Sequence, residues 1–412
     1  MKMNLSWKKH HYAIGISIFL ITVASLAGMV GCQTPSPTAE IWDWNDLAAI
    51  GSKLGGSYLL MCDLDSTTQG YSELASETAD QGRGWQPIGT QNNPFTGTFD
   101  GQGFEISDLS IGRLDTGHVG LFGYVGEKGM VKNVGVVNAY VVGQFCVGDL
   151  VGINWGTVSN CYSDGSVSGS DQIGGLVGGN GGSVSNSHSM GIVSGNRHVG
   201  GLVGASTGPV SNSYFTGSVS GESRVGGLVG GISGTTVSNS YFIGSVSGGS
   251  DQIGGLVGYD YGTVSKSYSG GSVTGDSYTG GLVGFNRDTV NDSYSTANVT
   301  GRWLAGGLVG QNGGTVSRSY STGTVTGDED VGGLVGRNYE GTVSNSFWDT
   351  EASGQYTSGG GIGKTTAEMQ DVITFSGAMW NIVEVADPDT RSPSHVWNIV
   401  NNVTYPFLSW QL

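Results

Sequence analysis

The chain has little charge, little proline, and few histidines or cysteines. Charged residues are 12% of its 412 positions, about half of the roughly 25% usual in globular chains. Only 17 are basic against 33 acidic, so a nucleic acid is excluded as an expected partner. Of eight prolines, only Pro209 lies between Phe95 and Trp380, just before Val210 in a turn, where no ladder N–H is lost from a strand centre. The six histidines (His10, His11, His118, His188, His198 and His395) form no His-Glu-x-x-His pair for zinc. No metal site, cofactor or catalytic residue is expected.

What is abundant is glycine, 76 residues, in a phrase that repeats. Its Gly-Gly-Leu-Val-Gly core places leucines at Leu121, Leu150, Leu176, Leu202, Leu228, Leu256, Leu282, Leu308 and Leu334, at intervals of 29, 26, 26, 26, 28, 26, 26 and 26. Such periods mark stacked units that bury a face only against their neighbours. Eight or nine residues on come Val158, Val184, Val210, Val237, Val264, Val290, Val316 and Val343. Four further is a ring, at Tyr162, His188, Tyr214, Tyr241, Tyr268, Tyr294, Tyr320 and Phe347, and five beyond that another valine, from Val167 to Val325. Each run is β-branched or aromatic and too short for a helix. The expectation is an all-β parallel β-helix, a β-solenoid of about nine 26-residue coils with three strands per coil. Interior Leu, Val and Tyr ladders and glycine at the positive-φ corners follow, and right-handedness is taken by analogy with crossover chirality.

The phrase, continued as Thr-Val-Ser-Asn-Ser-Tyr and Gly-Ser-Val-Ser-Gly, resembles the GLUG-motif repeat family over roughly residues 119–350. The lead-in from Phe95 and the tail Ser346-Phe-Trp-Asp-Thr-Glu resemble flanks of that family. The resemblance implies a bacterial surface protein. The immunoglobulin A protease activity of some members is not carried over, because the histidines form no zinc pair.

The domains read as follows. Residues 1–31 are a signal peptide, with Lys2, Lys8 and Lys9 before an uncharged stretch and a lipobox-like Ala27-Gly-Met-Val-Gly-Cys32 at its end. Met29 replaces the preferred leucine, and an uncleaved anchor helix is the alternative. Residues 32–41 are a lipidated Cys32 and a tether; 42–94 an N-terminal cap and first strands; 95–350 the solenoid; 351–412 a C-terminal cap. Loss of the three lysines leaves 14 basic against 33 acidic residues, a net charge near −19. Localisation is then the bacterial cell envelope or surface, held at the membrane by lipid. Cys62, Cys146 and Cys161 remain, an odd number that argues against a disulfide framework; a single Cys146–Cys161 bridge or three idle thiols are both open.

Within the caps, Asp43 opens a short helix stopped at Gly51, and Thr365-Thr-Ala-Glu368 is a capping box for a helix through Val372. The segment Ser358–Thr365 resembles a phosphate loop but lacks its first glycine and reads as a lead into that helix. Asp171, Asp251, Asp276, Asp328 and Asp330 recur in one turn without a calcium-repeat pattern and read as solvated.

Variation concentrates in two turn columns: Tyr259 and Phe285 in one, Trp155, Tyr261, Arg287 and Tyr339 in the other. These six are the candidate ligand-binding residues, with Asn154, Asn180, Asn286, Asn312 and Asn338 between the columns as a ladder satisfying turn backbone. A non-enzymatic, adhesin-like protein binding an extracellular glycan or protein is the first reading. Stacking that merely stiffens the coils is the plainer role for the rings. The alternative is a polysaccharide lyase or hydrolase, which needs converging carboxylates such as Asp260, Asp288 and Asp292 near Arg287. A passive spacer is the third reading, and no second globular pattern follows residue 350 for it to carry.

Overall fold

The computed structural model describes residues 38–411. The signal-peptide reading, the Cys32 lipidation site and most of the tether lie outside them. The described chain is a parallel β-solenoid whose coils stack in register: Val177 pairs with Val203, Val203 with Val229, and Val229 with Val257. The core leucines from Leu121 to Leu334 are all fully buried, as are Val158 to Val316. Stacking coils about 4.8 Å apart places each such residue on its own counterpart, so one continuous apolar core runs along the axis.

A typical repeat coil makes four strand segments rather than three, although neighbouring segments fuse in the coils of Leu228 and Leu256. In the coil of Leu176 these are Val177–Asn180, Ser183–Ser185, His188–Ser194 and Arg197–Gly200. The first two belong to one long sheet and the last two to another. The fourth segment escapes a sequence reading because its single inward residue varies, from Ile173, Val199 and Val225 through Thr279 to Ala305.

Glycine takes positive φ in one column, Gly191, Gly217, Gly244 and Gly271, but the two recurrent left-handed corners are held by other residues. One corner holds Asn160, Asn186, Asn212, Asn239, Lys266, Asp292, Arg318 and Asn345, with φ between 43° and 53°; the other holds Gln172, His198, Arg224, Gln252, Tyr278, Leu304 and Asp330, with φ between 49° and 63°. Asparagine tolerates this left-handed conformation best among residues with a side chain. The first glycine of the core phrase is needed for space instead. A Cβ on Gly200, Gly226 or Gly254 would lie 2.0 Å from the carbonyl oxygen of the valine three residues on.

The ring ladder points outward, which corrects the expectation of an interior Tyr column. Rings from Tyr162 to Tyr320 stack with centroids 4.5–5.3 Å apart and planes within 8°. The next residue takes the interior place: Ser163, Ser189, Phe215, Phe242, Ser269, Ser295 and Ser321 are fully buried. A period-two reading carried on from Val158 fails because the positive-φ corner at Asn160 breaks the alternation between them. The C-terminal segment covers the ladder sideways. Trp397 packs on Tyr294 and Tyr320, Trp410 on Tyr241 and Tyr268 while donating to the Lys266 carbonyl at 3.0 Å, and Tyr294 donates to Gln411 at 2.8 Å.

The ends also differ in detail. The strand Ala39–Ile41 pairs with Ser57–Leu60, so the tether stops short of residue 41, where Ile41 enters the core. Asp43 caps the helix Trp44–Ala49, which runs on past Gly51 as the 3-10 turn Ile50–Ser52. Beyond residue 350, Ile362–Lys364 still pairs with Phe347–Asp349, while Ser358 Oγ accepts the Val335 N–H at 2.9 Å to close the last coil. The Thr365–Glu368 capping box is present, but its helix ends at Met369 and Asp371 caps a second, Val372–Ser376. Cys146 and Cys161 are free and buried, and burial pushes each thiol up to about 12.

Two buried ladders satisfy the corners. Serines from Ser187 to Ser346 each accept the N–H of the residue above in the column, at 3.1–3.2 Å. The asparagine ladder exists in two runs, Asn154 donating to Asn180 at 2.8 Å and Asn286 to Asn312 at 2.7 Å. Ser206, Ile232 and Asp260 stand in the same column between them. Asp260 accepts from the Gly262 N–H at 2.8 Å, while its other carboxyl oxygen is buried without a partner among the described residues. Burial raises its pKa well above the ordinary value, with Asp288 adding to the rise. A carboxyl so shifted favours the folded state below its unfolded pKa, and that contribution is lost as pH rises toward the folded value. Asp260→Asn should therefore stabilise the protein at pH 7 by about the 1 kcal/mol of a completed hydrogen bond. In urea denaturation the gain should shrink as pH falls from 7 toward about 4, the unfolded-state pKa, with no further change below it.

Candidate functional site

The outward residue two places after each core valine forms one register column: Ile153, Gly179, Ala205, Gly231, Tyr259 and Phe285. Its side chains run large, small, small, small, large, large. With rungs about 4.8 Å apart, the three small members leave a dip of about 19 Å between Ile153 and Tyr259. This is a groove of about 430 Å³, open to solvent.

Aromatic side chains stand at both ends. Trp155 is 46% exposed, and its ring lies over Gly181, where an added Cβ would meet it at 2.5 Å. At the other end Tyr259 stacks on Phe285 with centroids 5.7 Å apart, and Tyr261 stacks on Tyr259 at 6.1 Å. Phe285 is itself buried, held between Tyr259, the edge of Tyr278 and the Arg287 guanidinium 5.1 Å from its centroid. Of the six residues singled out in the sequence, Trp155 and Tyr259 line the groove, Tyr261 flanks it, and Phe285 and Arg287 brace Tyr259 from behind. Tyr339 is exposed on the coil of Leu334 and makes no ring contact with this cluster among the described residues.

One long edge of the groove is the positive-φ corner column, which the sequence reading passed over. Gln172, His198 and Arg224 line it. Asp171 bonds His198 Nδ1 at 2.8 Å, His198 Nε2 lies 2.8 Å from Arg224 Nη1, and Arg224 Nε donates to Gln252 at 3.1 Å. An arginine can only donate, so Nε2 accepts and His198 is neutral with its proton on Nδ1. Burial lowers the His198 pKa; Asp171 opposes this, and Arg224 and Arg197 reinforce it. The Arg224 guanidinium lies over the Tyr259 ring, 4.7 Å from its centroid. The signal available in the sequence was variation: four places before each core leucine stand Gln, His, Arg, Gln and Tyr in successive coils, while the next position is apolar in four of the five.

Of the acids named for an enzymatic site, Asp260 and Asp288 lie near each other and Asp292 lies apart, and none of the three lines the groove. Asp260 points into the asparagine column, and Asp292 pairs with Arg318 at 2.8 Å on another corner. Among the described residues, no Asp or Glu lines the groove.

Comparison with known proteins adds the following. The family profile of the GLUG motif matches residues 195–220 and 301–326. Halomucin of Haloquadratum walsbyi is 34% identical over 146 residues, covering 34% of this chain and 2% of that protein. A protein of Evansella cellulosilytica provisionally named a Gly-rich membrane protein is 39% identical over 82 residues, 19% of this chain and 10% of that one. The chain thus spans only a small part of these relatives' length. A solved structure provisionally described as an immunoglobulin A1 protease of Bacteroides ovatus aligns over 90% of this chain and 92% of its own at 19% identity and a TM-score of 0.39, too low to carry an argument. The matched segments lie in the coils of Leu202 and Leu308, which are thus GLUG-motif repeats, and the coils between them stack on these two in register.

Proposed function

We propose that the protein is a non-enzymatic, surface-associated binding protein that holds an extended saccharide in the groove between Trp155 and Tyr259. The observation that carries this reading is the dip of three small residues between two aromatic ends. Sugar rings present flat C–H faces that pack on aromatic rings, and an extended chain fits a trough of this length. The absence of a carboxylate from the lining residues favours binding over hydrolysis or elimination, which need a placed acid or base. The membrane protein named among the relatives supports a position at the membrane. So does the lipobox-like sequence ending at Cys32.

On a glycan array and then by calorimetry, the purified protein should bind an oligosaccharide. Trp155→Ala and Tyr259→Ala should each weaken it about tenfold or more, the scale of an aromatic anchor. Ala205→Trp, which fills the groove from outside the core, should abolish binding with little change in melting temperature. Unchanged affinity in all three variants would place the ligand elsewhere. For the anchor, palmitate should label the wild-type chain in cells and not Cys32→Ser. Retention of label and of processing by Cys32→Ser would overturn lipidation at that residue.

A further inference from the structure

Arg224 is held in place without a carboxylate partner. Its Nε–H is taken by Gln252 and one Nη1–H by His198, whose orientation is fixed in turn by Asp171. Three N–H bonds of the five on a guanidinium are left, and Arg224 lines the groove. No carboxylate pairs with it among the described residues. Glu222 and Asp251 on the neighbouring turns do not line the groove, and Asp171 is engaged by His198. A cation left this way in a chain of net charge −16 is an unfilled site for an anion, and a planar fork fits a carboxylate with two parallel bonds.

We infer that the saccharide taken by the groove is acidic, a uronate-type chain whose carboxylate is held by Arg224 while sugar faces pack on the aromatic ends. This rests on the groove being the binding site. His198 is a positioning residue: its neutral Nε2 fixes the guanidinium over Tyr259. Protonation of His198 would remove that acceptor and set a second cation beside Arg224, but burial and the two arginines keep the ring neutral.

The experiment is a panel of uronate oligosaccharides, each paired with its carboxyl-reduced counterpart, titrated into the full chain. The acidic member should bind ten- to a hundredfold tighter, the range for a charge-assisted hydrogen-bonded pair. Arg224→Gln should remove that preference at an unchanged melting temperature, because Gln172 and Gln252 already occupy this corner with φ of 58° and 63°. Arg224→Lys, which keeps the charge and loses the fork, should keep only part of it. His198→Phe, which removes the acceptor but keeps a ring as Tyr278 does at this corner, should narrow the ratio of affinities for the two members. Equal binding of both members, sensitive to Ala205→Trp, would overturn the acidic ligand and leave the groove standing. Binding of neither member would overturn both.

Discussion

In-register stacking of coils is the constraint on which the rest of this structure depends. Once Val177, Val203, Val229 and Val257 lie one above another, every other position is forced into a column with its own counterparts. Stacking therefore converts sequence variation directly into surface relief. A column of leucine becomes core, a column of serine or asparagine becomes a hydrogen-bonded ladder, and a column that changes size along the axis becomes a ridge or a groove. The core-phrase glycine permits this because any side chain there would meet the carbonyl oxygen that completes the bend.

The outward ring ladder follows from the same rule. Identical rings on successive rungs stack at 4.5–5.3 Å, close to the separation that offset aromatic pairs prefer, and this leaves a long apolar stripe outside the coil. The C-terminal segment uses that stripe as a second core, with Trp380, Trp397, Ile399 and Leu408 packed on Tyr268 to Phe347. It braces several coils sideways as well as closing the end of the stack.

How much of this was legible depended on whether a position repeats. The period, the buried Leu and Val columns and the capping box at Thr365 could be read directly because each is a local or strictly repeated pattern. The direction of the rings could not, because Asn160 and its equivalents change the alternation at a corner that looks in sequence like any other turn. For the site, Trp155 and Tyr259 stood out as large residues in variable turns. The small residues between them and the polar corner of Gln172, His198 and Arg224 gave a weaker signal, since the size of a dip is visible only once the columns are aligned.

The central claim is that three small rungs between two aromatic ends make the binding surface of this solenoid. A crystal structure of the protein with a bound oligosaccharide from the array tests it most directly. The account predicts electron density for sugar rings along Gly179, Ala205 and Gly231, with faces on Trp155 and Tyr259. Density on the uncovered ring ladder at Tyr162, His188 and Tyr214, with the groove empty, would contradict it.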